Sequence, residues 1–445
     1  MDYPITLESF KDVGPILKEL NLATHQNALY LDAGEKMTTL KLDLMQSFAV
    51  ALLVYYLGVL LKKVIPLLNK FCIPAPVAGG VVFAFLHLIV RETMHFSLGI
   101  DTTFQTPFML VFFTTIGMTA SIQLIKKGGL GVIIFLIVAS VLCVIQDAVG
   151  MGVAKALGQN PLLGLICGSV TMTGGHGTGA AFAPTFTEMG LKGANTFAAA
   201  AATFGLVVGS LMGGPLGSAL IRKNNLKSKG AEYTDKKLEM ESESEQVNFE
   251  EIFRATAIIV VAVAIGSLIS IPLKNVQLPI TGPTGDPMKL NLPAYVPSMI
   301  IASIILNIGE GTGAYHINQK ATGVVGTIGL NAFLSLALTG LKLWELADVA
   351  GPMLIILGIQ SVVMFLFAYF VTFNVMGKDF DAATIAGGHC GFGMGATPNG
   401  VANMTSIQEA FGPAPRAFFI LPIVGAFLID FTNMLVITIF MQFAG

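Results

Sequence analysis

Long apolar runs recur along this chain from position 42 to its end, separated by short polar stretches. A helix needs about 20 mostly apolar residues to cross a bilayer. Ten stretches meet or approach that length: 42–61, 73–90, 107–122, 129–157, 194–220, 252–273, 296–308, 321–341, 349–376 and 416–441. The shortest, 107–122 and 296–308, have the least sharply marked ends. The first forty residues are mixed and polar, without the basic start and apolar core of a signal peptide. Within them Leu7, Phe10, Val13, Leu17 and Leu20 are spaced for a short surface helix, which Gly14-Pro15 weakens.

Two glycine clusters interrupt the pattern. Gly174-Gly175-His176-Gly177-Thr178-Gly179 lies in the moderately apolar stretch 160–190, and Gly387-Gly388-His389-Cys390-Gly391-Phe392-Gly393 lies in 380–407. Each follows the fourth span of its half. Glycine costs a helix roughly 1 kcal/mol per residue against alanine. A bilayer tolerates irregular backbone only where protein covers it or a wet cavity adjoins it. Broken segments at matching places in two halves point to a transport site. Both stretches are therefore predicted to be re-entrant hairpins or broken helices. Ile145-Gln146 and Ile359-Gln360 precede the two Gly-Gly-His triplets at nearly the same distance, a weak mark of duplication.

Basic residues in short loops favour the cytoplasmic side. Lys62, Lys63, Lys126, Lys127, Arg222, Lys223, Lys320 and Lys378 fall on one side, which places both termini outside. Five spans per half is an odd number, so the halves must be inverted. The predicted fold is an all-α polytopic membrane protein of ten transmembrane helices in two inverted five-helix repeats. Its parts are a polar extension 1–41, a first repeat 42–220, a charged cytoplasmic linker 221–250 and a second repeat 251–445.

Composition narrows the partners. Only 12% of residues are charged, whereas soluble domains carry about 25%. The missing charge implies a lipid-facing surface, and a net charge of -2 gives no reason for a nucleic-acid partner. Cys72, Cys143, Cys167 and Cys390 sit in or beside apolar stretches and read as reduced, buried thiols.

Asp430 is the sharpest single residue, midway along the last apolar span with Asn433 one turn on. A carboxylate at bilayer depth usually marks a pathway. Asp147 is a weaker case. His176 and His389 complete no metal-ligand spacing with Cys390 or His316 and read as hydrogen-bonding groups that fix the broken segments. Lys342, Trp344 and Glu345 read as an interfacial anchor with a helix ion pair. Gly205, Gly209, Gly213 and Gly217 recur every four residues, as a stripe for close helix packing does. The glycines from Gly309 to Gly313 follow no strand and give no phosphate loop. No catalytic cluster supports an enzyme. A channel would not need duplicated broken helices, so a secondary transporter of a small polar or anionic solute fits best.

Five stretches carry a family resemblance: Thr173–Ala181 (TGGHGTGAA), Gly388–Pro398 (GHCGFGMGATP), Leu341–Ala347 (LKLWELA), Ile73–Gly80 (IPAPVAGG) and Ala202–Leu206 (ATFGL). The chain resembles the bacterial sodium/glutamate symporters from about Leu42 onward. The departures are the first forty residues, the length of the linker, Phe182 in place of an expected tryptophan and Asp147 in place of an expected amide. The resemblance implies L-glutamate as substrate, Na+ as the co-transported ion, no organic cofactor, a homodimer and the bacterial cytoplasmic membrane. A di- or hydroxycarboxylate stays open as cargo. With glutamate as substrate, half-helix starts offer N–H groups to carboxylates and half-helix ends offer carbonyls to sodium. The expected substrate residues are Gly175, His176, Gly177, Thr178, Gly179, Gly393, Gly395, Ala396, Thr397, Asn399 and Asn403. The expected sodium residues are Thr173, Gly174, Gly391, Asp430 and Asn433. The two broken segments are expected to meet near the midplane and to slide with their flanking helices against a dimer-forming scaffold.

Overall fold

The computed structural model describes residues 28–32, 37–71, 73–228, 247–273, 277–281, 287–289, 295–347 and 349–444. The helix expected over 7–20 and most of the 221–250 linker lie outside the described residues.

Each of the ten apolar stretches carries helix. In chain order these are α1 (Leu44–Val64), α2 (Ala75–Met94), α3 (Gln105–Gly117) and α4 (Ile122–Ala156). α5 (Pro161–Leu165) precedes the first glycine cluster, α6 (Gly175–Glu188) contains most of it, and α7 (Ala194–Lys223) follows. The second part has α8 (Phe249–Leu273), α9 (Tyr295–Thr312), α10 (Gln319–Thr339) and α11 (Ala350–Phe367). It closes with α12 (Phe380–Gly393), α13 (Thr397–Phe411), α14 (Pro415–Ile423) and α15 (Ile429–Met441). Among the described residues seven helices are long and apolar enough to cross a membrane. Together they make this a helical, multi-pass membrane protein.

The boundaries have local causes. Asp43 starts α1: its carboxylate accepts the Gln46 N–H at 2.8 Å, and the Gln46 side chain takes the Asp43 N–H at 3.1 Å. The short stretch 107–122 yields only the 13 residues of α3, which reach Gly117. There a Cβ would meet the Met299 carbonyl oxygen at 2.1 Å, so α3 and α9 touch backbone to backbone. The span expected at 129–157 is found as Gly129–Ala156; a kink at Gly129, whose φ of 60° only glycine adopts without strain, joins it to the helical turns from Ile122 within α4. The last stretch is two helices, α14 and α15, joined by the π-helical turn Val424–Leu428.

Strands are a departure from the all-α expectation. β1 (Ala28–Asp32) pairs antiparallel with β2 (Met37–Lys41), which pairs parallel with β3 (Phe96–Gly99). β4 (Gln277–Thr281) pairs antiparallel with β5 (Pro287–Lys289). β3 is too short for a helix between α2 and α3, and its backbone finds partners in β2 and in His87, whose Nε2 accepts the Leu98 N–H at 3.0 Å. Nearby Arg91 lies over the Trp344 ring at 4.2 Å, and Lys342 pairs with Glu345 at 3.8 Å, as the anchor reading expects.

The glycine stripe of α7 decides how the second broken segment packs. A Cβ at Gly205 would lie 2.1 Å from the Met394 carbonyl oxygen, and one at Gly209 2.9 Å from that of Cys390. At Gly213 it would lie 2.2 Å from the Gly387 carbonyl oxygen, and at Gly217 2.3 Å from Ile407. All four are far tighter than van der Waals contact; at Gly205, Gly209 and Gly213 the obstacle is backbone and only hydrogen fits, whereas at Gly217 it is the movable end of the Ile407 side chain. The stripe lets the backbone of α7 lie directly against α12 and α13. Gly214, one residue off the stripe, has nothing within 4 Å of its Cβ position. Gly213→Ala should therefore lower the apparent melting temperature of the purified protein by several degrees, about 1–3 kcal/mol of overpacking. Gly214→Ala should leave it unchanged or raised. Thermal unfolding of both variants in one detergent checks the contrast.

Candidate substrate and ion site

The first broken segment begins where Asn160 accepts the Leu162 N–H at 2.9 Å, with Pro161 in the first helical turn. α5 passes into the π-helical turn Ile166–Val170, and the helix ends there. Residues 171–174 form a turn, and Gly175, at a φ of 62°, starts α6. Gly168 is the narrow point: its backbone is non-helical, and a Cβ would sit 2.6 Å from an Asp147 carboxylate oxygen. Without a side chain there, Asp147 reaches past it to Ser169. Its Oδ1 accepts the Ser169 N–H at 2.7 Å and its Oδ2 accepts the Ser169 hydroxyl at 3.0 Å. Asn433 on α15 donates its amide to the Ser169 carbonyl at 3.1 Å. All three polar side chains are fully or almost fully buried.

The second broken segment has the same order of parts. Asp379 accepts the Ala382 N–H at 2.8 Å and starts α12. The helix ends at Gly393, residues 394–396 are irregular, and α13 starts at Thr397 with Pro398 in its first turn. The Thr397 hydroxyl donates to the Gly425 carbonyl at 2.6 Å, inside the π-helical turn Val424–Leu428. π-Turns leave carbonyls free of their usual partners and recur at functional sites.

The two breaks touch. A Cβ on Gly175 would stand 2.8 Å from the Gly395 carbonyl oxygen. One side chain ties them: Gln146 donates its amide to the Gly393 carbonyl at 2.7 Å and accepts the Thr173 hydroxyl at 2.8 Å. Gln360 in turn donates to the Gln146 backbone carbonyl at 2.6 Å. Cys143, Gln146, Asp147 and Gly150 recur at three- and four-residue spacing, so one face of α4 lines the first break. At Gly150 a Cβ would lie 2.2 Å from the Gly164 carbonyl oxygen, which brings α4 and α5 together.

The expected substrate residues divide by what they touch. His176 and Gly177 lie in the first turn of α6 and Thr397 in that of α13, where N–H groups have no carbonyl one turn back inside the helix. Gly179 lies one turn inside α6, where an added Cβ would meet the Thr171 and Ala198 side chains at 3.1 and 3.2 Å. Thr178 is buried, with its amide on the Gly174 carbonyl. Ala396 donates its N–H to the Gly391 carbonyl at 3.2 Å, closing the second break. Asn399 donates to the carbonyls of Phe71 and Leu206 and to the Ser210 hydroxyl. Asn403 donates to the Gly209 carbonyl at 2.9 Å and the Gly387 carbonyl at 3.4 Å, which joins α7, α12 and α13 away from the breaks.

The expected sodium residues come from three elements of the fold. Thr173 and Gly174 belong to the first break, and Asn433 reaches that segment through Ser169. Gly391 packs instead on the Asn399 backbone in the second segment, where a Cβ would lie 2.6 Å from it. Asp430 is half-buried, and no hydrogen bond or ion pair holds its carboxylate among the described residues. It lies within electrostatic reach of Cys143 and Tyr295. The amide oxygens of Gln360, Asn399 and Asn433 are buried without a donor, as is the Tyr295 hydroxyl. Buried polar atoms are normally satisfied. Oxygen acceptors left bare around a break are what a hard cation prefers.

The histidines hold side chains rather than backbone. His176 shares a hydrogen bond with the Thr203 hydroxyl at 3.1 Å, linking α6 to α7. His389 shares one with the Thr372 hydroxyl at 2.9 Å and is ringed by Phe135, Phe367 and Phe392. Cys143, Cys167 and Cys390 are free and buried.

Sequence reasoning gave Gln146 and Gln360 no chemistry and did not name Ser169, Thr203 or Ser210. The available signal was the spacing of Cys143, Gln146 and Asp147, three polar or polarisable groups on one face of an otherwise apolar helix. Gln146→Leu should strand the Gly393 carbonyl and the Thr173 hydroxyl, at about 1–3 kcal/mol for each buried group left unpaired. Amide hydrogen exchange should then rise at 171–175 and at 394–397 together, and remain as in the parent protein along α1 and α8.

The sequence profile of the sodium/glutamate symporters matches residues 40–413. The sodium/glutamate symporter of Escherichia coli (strain K12) is 40% identical over 410 residues, covering 91% of this chain and 99% of that protein. Its counterpart in Haemophilus influenzae is 39% identical over 393 residues, covering 87% and 94%. Both breaks, the Gln146 bridge and Asp147 fall within the profile match, and on that breadth of similarity the chain belongs to the sodium/glutamate symporter family.

Proposed function

We infer that this chain is a sodium-coupled symporter for L-glutamate and not an enzyme. Family membership over most of the chain supports the activity. The observation that carries the site is the contact of two broken helices at Gly175 and Gly395 beneath the Gln146 bridge. Glutamate brings two carboxylates and one ammonium. First-turn amides of α6 and α13, at His176, Gly177 and Thr397, suit the carboxylates, because helix N-termini carry partial positive charge. Asp430, without a hydrogen bond or ion pair among the described residues, suits a cation: either sodium or the substrate ammonium. The buried amide oxygens of Asn399 and Asn433 add neutral ligands without adding charge.

The wider architecture belongs to the same reading. Ten membrane passes form two inverted five-helix repeats, 42–220 and 251–445, joined by a cytoplasmic linker. The termini lie outside, the protein sits in the bacterial cytoplasmic membrane as a homodimer, and the broken segments move as a rigid body past the scaffold. Matching helix–break–helix order in the two halves supports the repeat. The glycine stripe of α7 supports a body in which α7, α12 and α13 travel together.

Purified protein in liposomes should accumulate labelled L-glutamate against its gradient when sodium is high outside, and not when potassium replaces it. Equal uptake in both salts would refute sodium coupling. Gly395→Val should abolish uptake in a protein that still reaches the membrane, since a Cβ there meets the Gly391 carbonyl oxygen at 3.0 Å and Leu206 at 3.1 Å. Asp430→Asn should raise the sodium concentration for half-maximal uptake roughly tenfold or more, the scale of losing one ligand-shell interaction. A sodium titration of initial rates reads it.

A further inference from the structure

Asp147 has no role in the reading above, yet it is fully buried in the C-terminal part of α4. Among the described residues no lysine, arginine or histidine pairs with it. Its two hydrogen bonds both come from Ser169. A carboxylate has about four lone-pair sites, so two donors leave acceptor capacity unused. A buried charge with donors from a single residue and no counter-ion is strongly disfavoured unless a proton or a metal cation joins it.

A second bare acceptor is tethered to the same residue. Asn433 is 1% exposed, and its amide nitrogen is fixed on the Ser169 carbonyl. Its own oxygen has no donor. Ser169 thus holds Asp147 with its N–H and hydroxyl, and Asn433 with its carbonyl. The backbone there leaves the helix at Gly168, next to the residue that holds both groups. A carboxylate and an amide oxygen, with no competing cationic side chain, make a donor set for a hard monovalent cation.

We propose that Asp147 is a sodium ligand, with the Asn433 amide oxygen beside it and Ser169 as the positioning residue that holds both against the first break. The inference rests on the symport reading and adds a carboxylate that reading leaves idle. Sodium entering here neutralises Asp147 and draws Ser169 and α15 together, so ion binding sets the shape of the break that α6 presents to substrate.

The test is direct binding of labelled sodium to the purified full-length protein in glutamate-free buffer, beside sodium titrations of uptake in liposomes. Asp147→Asn preserves shape and removes the charge. It should weaken sodium binding at least about tenfold and raise the half-maximal sodium concentration for uptake by the same factor. Ser169→Ala should shift both in the same direction by less, because the acid stays but loses its orientation. Sodium binding and titrations that superimpose on the parent protein overturn the proposal, as does an Asp147→Asn protein whose only change is its pH profile. If Asp147→Asn fails to fold, Ser169→Ala decides alone, and an unaltered sodium curve there is a refutation. Absence of glutamate uptake by the parent protein would sink the symport reading only. The binding comparison in glutamate-free buffer would still decide the role of Asp147.

Discussion

Everything at the centre of this molecule depends on giving partners to backbone that has left its helix. An interior backbone group without a hydrogen bond is costly, and a lipid slab supplies none. Two segments stop being helical, one at 171–174 and one at 394–396, and protein covers both. The Gln146 side chain serves the two at once, taking the Thr173 hydroxyl and giving its amide to the Gly393 carbonyl. Thr397 and Gly425 close a further gap, and Asp147 with Ser169 another. Groups left over, such as the first-turn amides and the bare amide oxygens, are then few and directed, which a binding site for small ions requires.

Close approach makes this economy possible. α7 carries four glycines on one face, and α12 and α13 lie on it at backbone distance. At that spacing Asn403 reaches carbonyls of two helices, and Asn399 reaches Leu206 and Ser210. His176 reaches Thr203 on the opposite side of the same helix system. A helix association inside a membrane gains little from apolar burial and relies on tight packing and such polar links. Packing and site are therefore the same set of contacts, and α7 connects the two breaks mechanically.

Charge is sparse and placed with consequence. Arg91, Lys342, Glu345 and Trp344 gather beside the short strand β3. Two acids, Asp147 and Asp430, sit within the helical body without cationic side chains as partners. Ser169 holds one, and among the described residues no hydrogen bond or ion pair holds the other. The contrast gives the two carboxylates different chemistry: one is preorganised on the first break, and the other is free to turn toward what enters.

The sequence alone determined where helices form, because runs of apolar residues of fixed length have few other options in a membrane. It located the first break, where the Gly-Gly-His triplet meets the start of α6, but the second triplet lies inside continuous α12 and the chain breaks just after it, at 394–396. The stripe on α7 was legible as a period along one strand of text. The tertiary structure decided what the breaks touch. That Gln146 spans 247 positions to Gly393, or that Asn433 finds Ser169 264 positions away, has no local signature, since any amide on an apolar helix reads alike. Nothing in the sequence says that Asn403 donates to the Gly209 and Gly387 carbonyls, or marks Ser169 and Gln360 at all. Periodicity fixes which face a residue occupies, but a hydrogen bond depends on what the opposing backbone exposes, and only the assembled fold sets that.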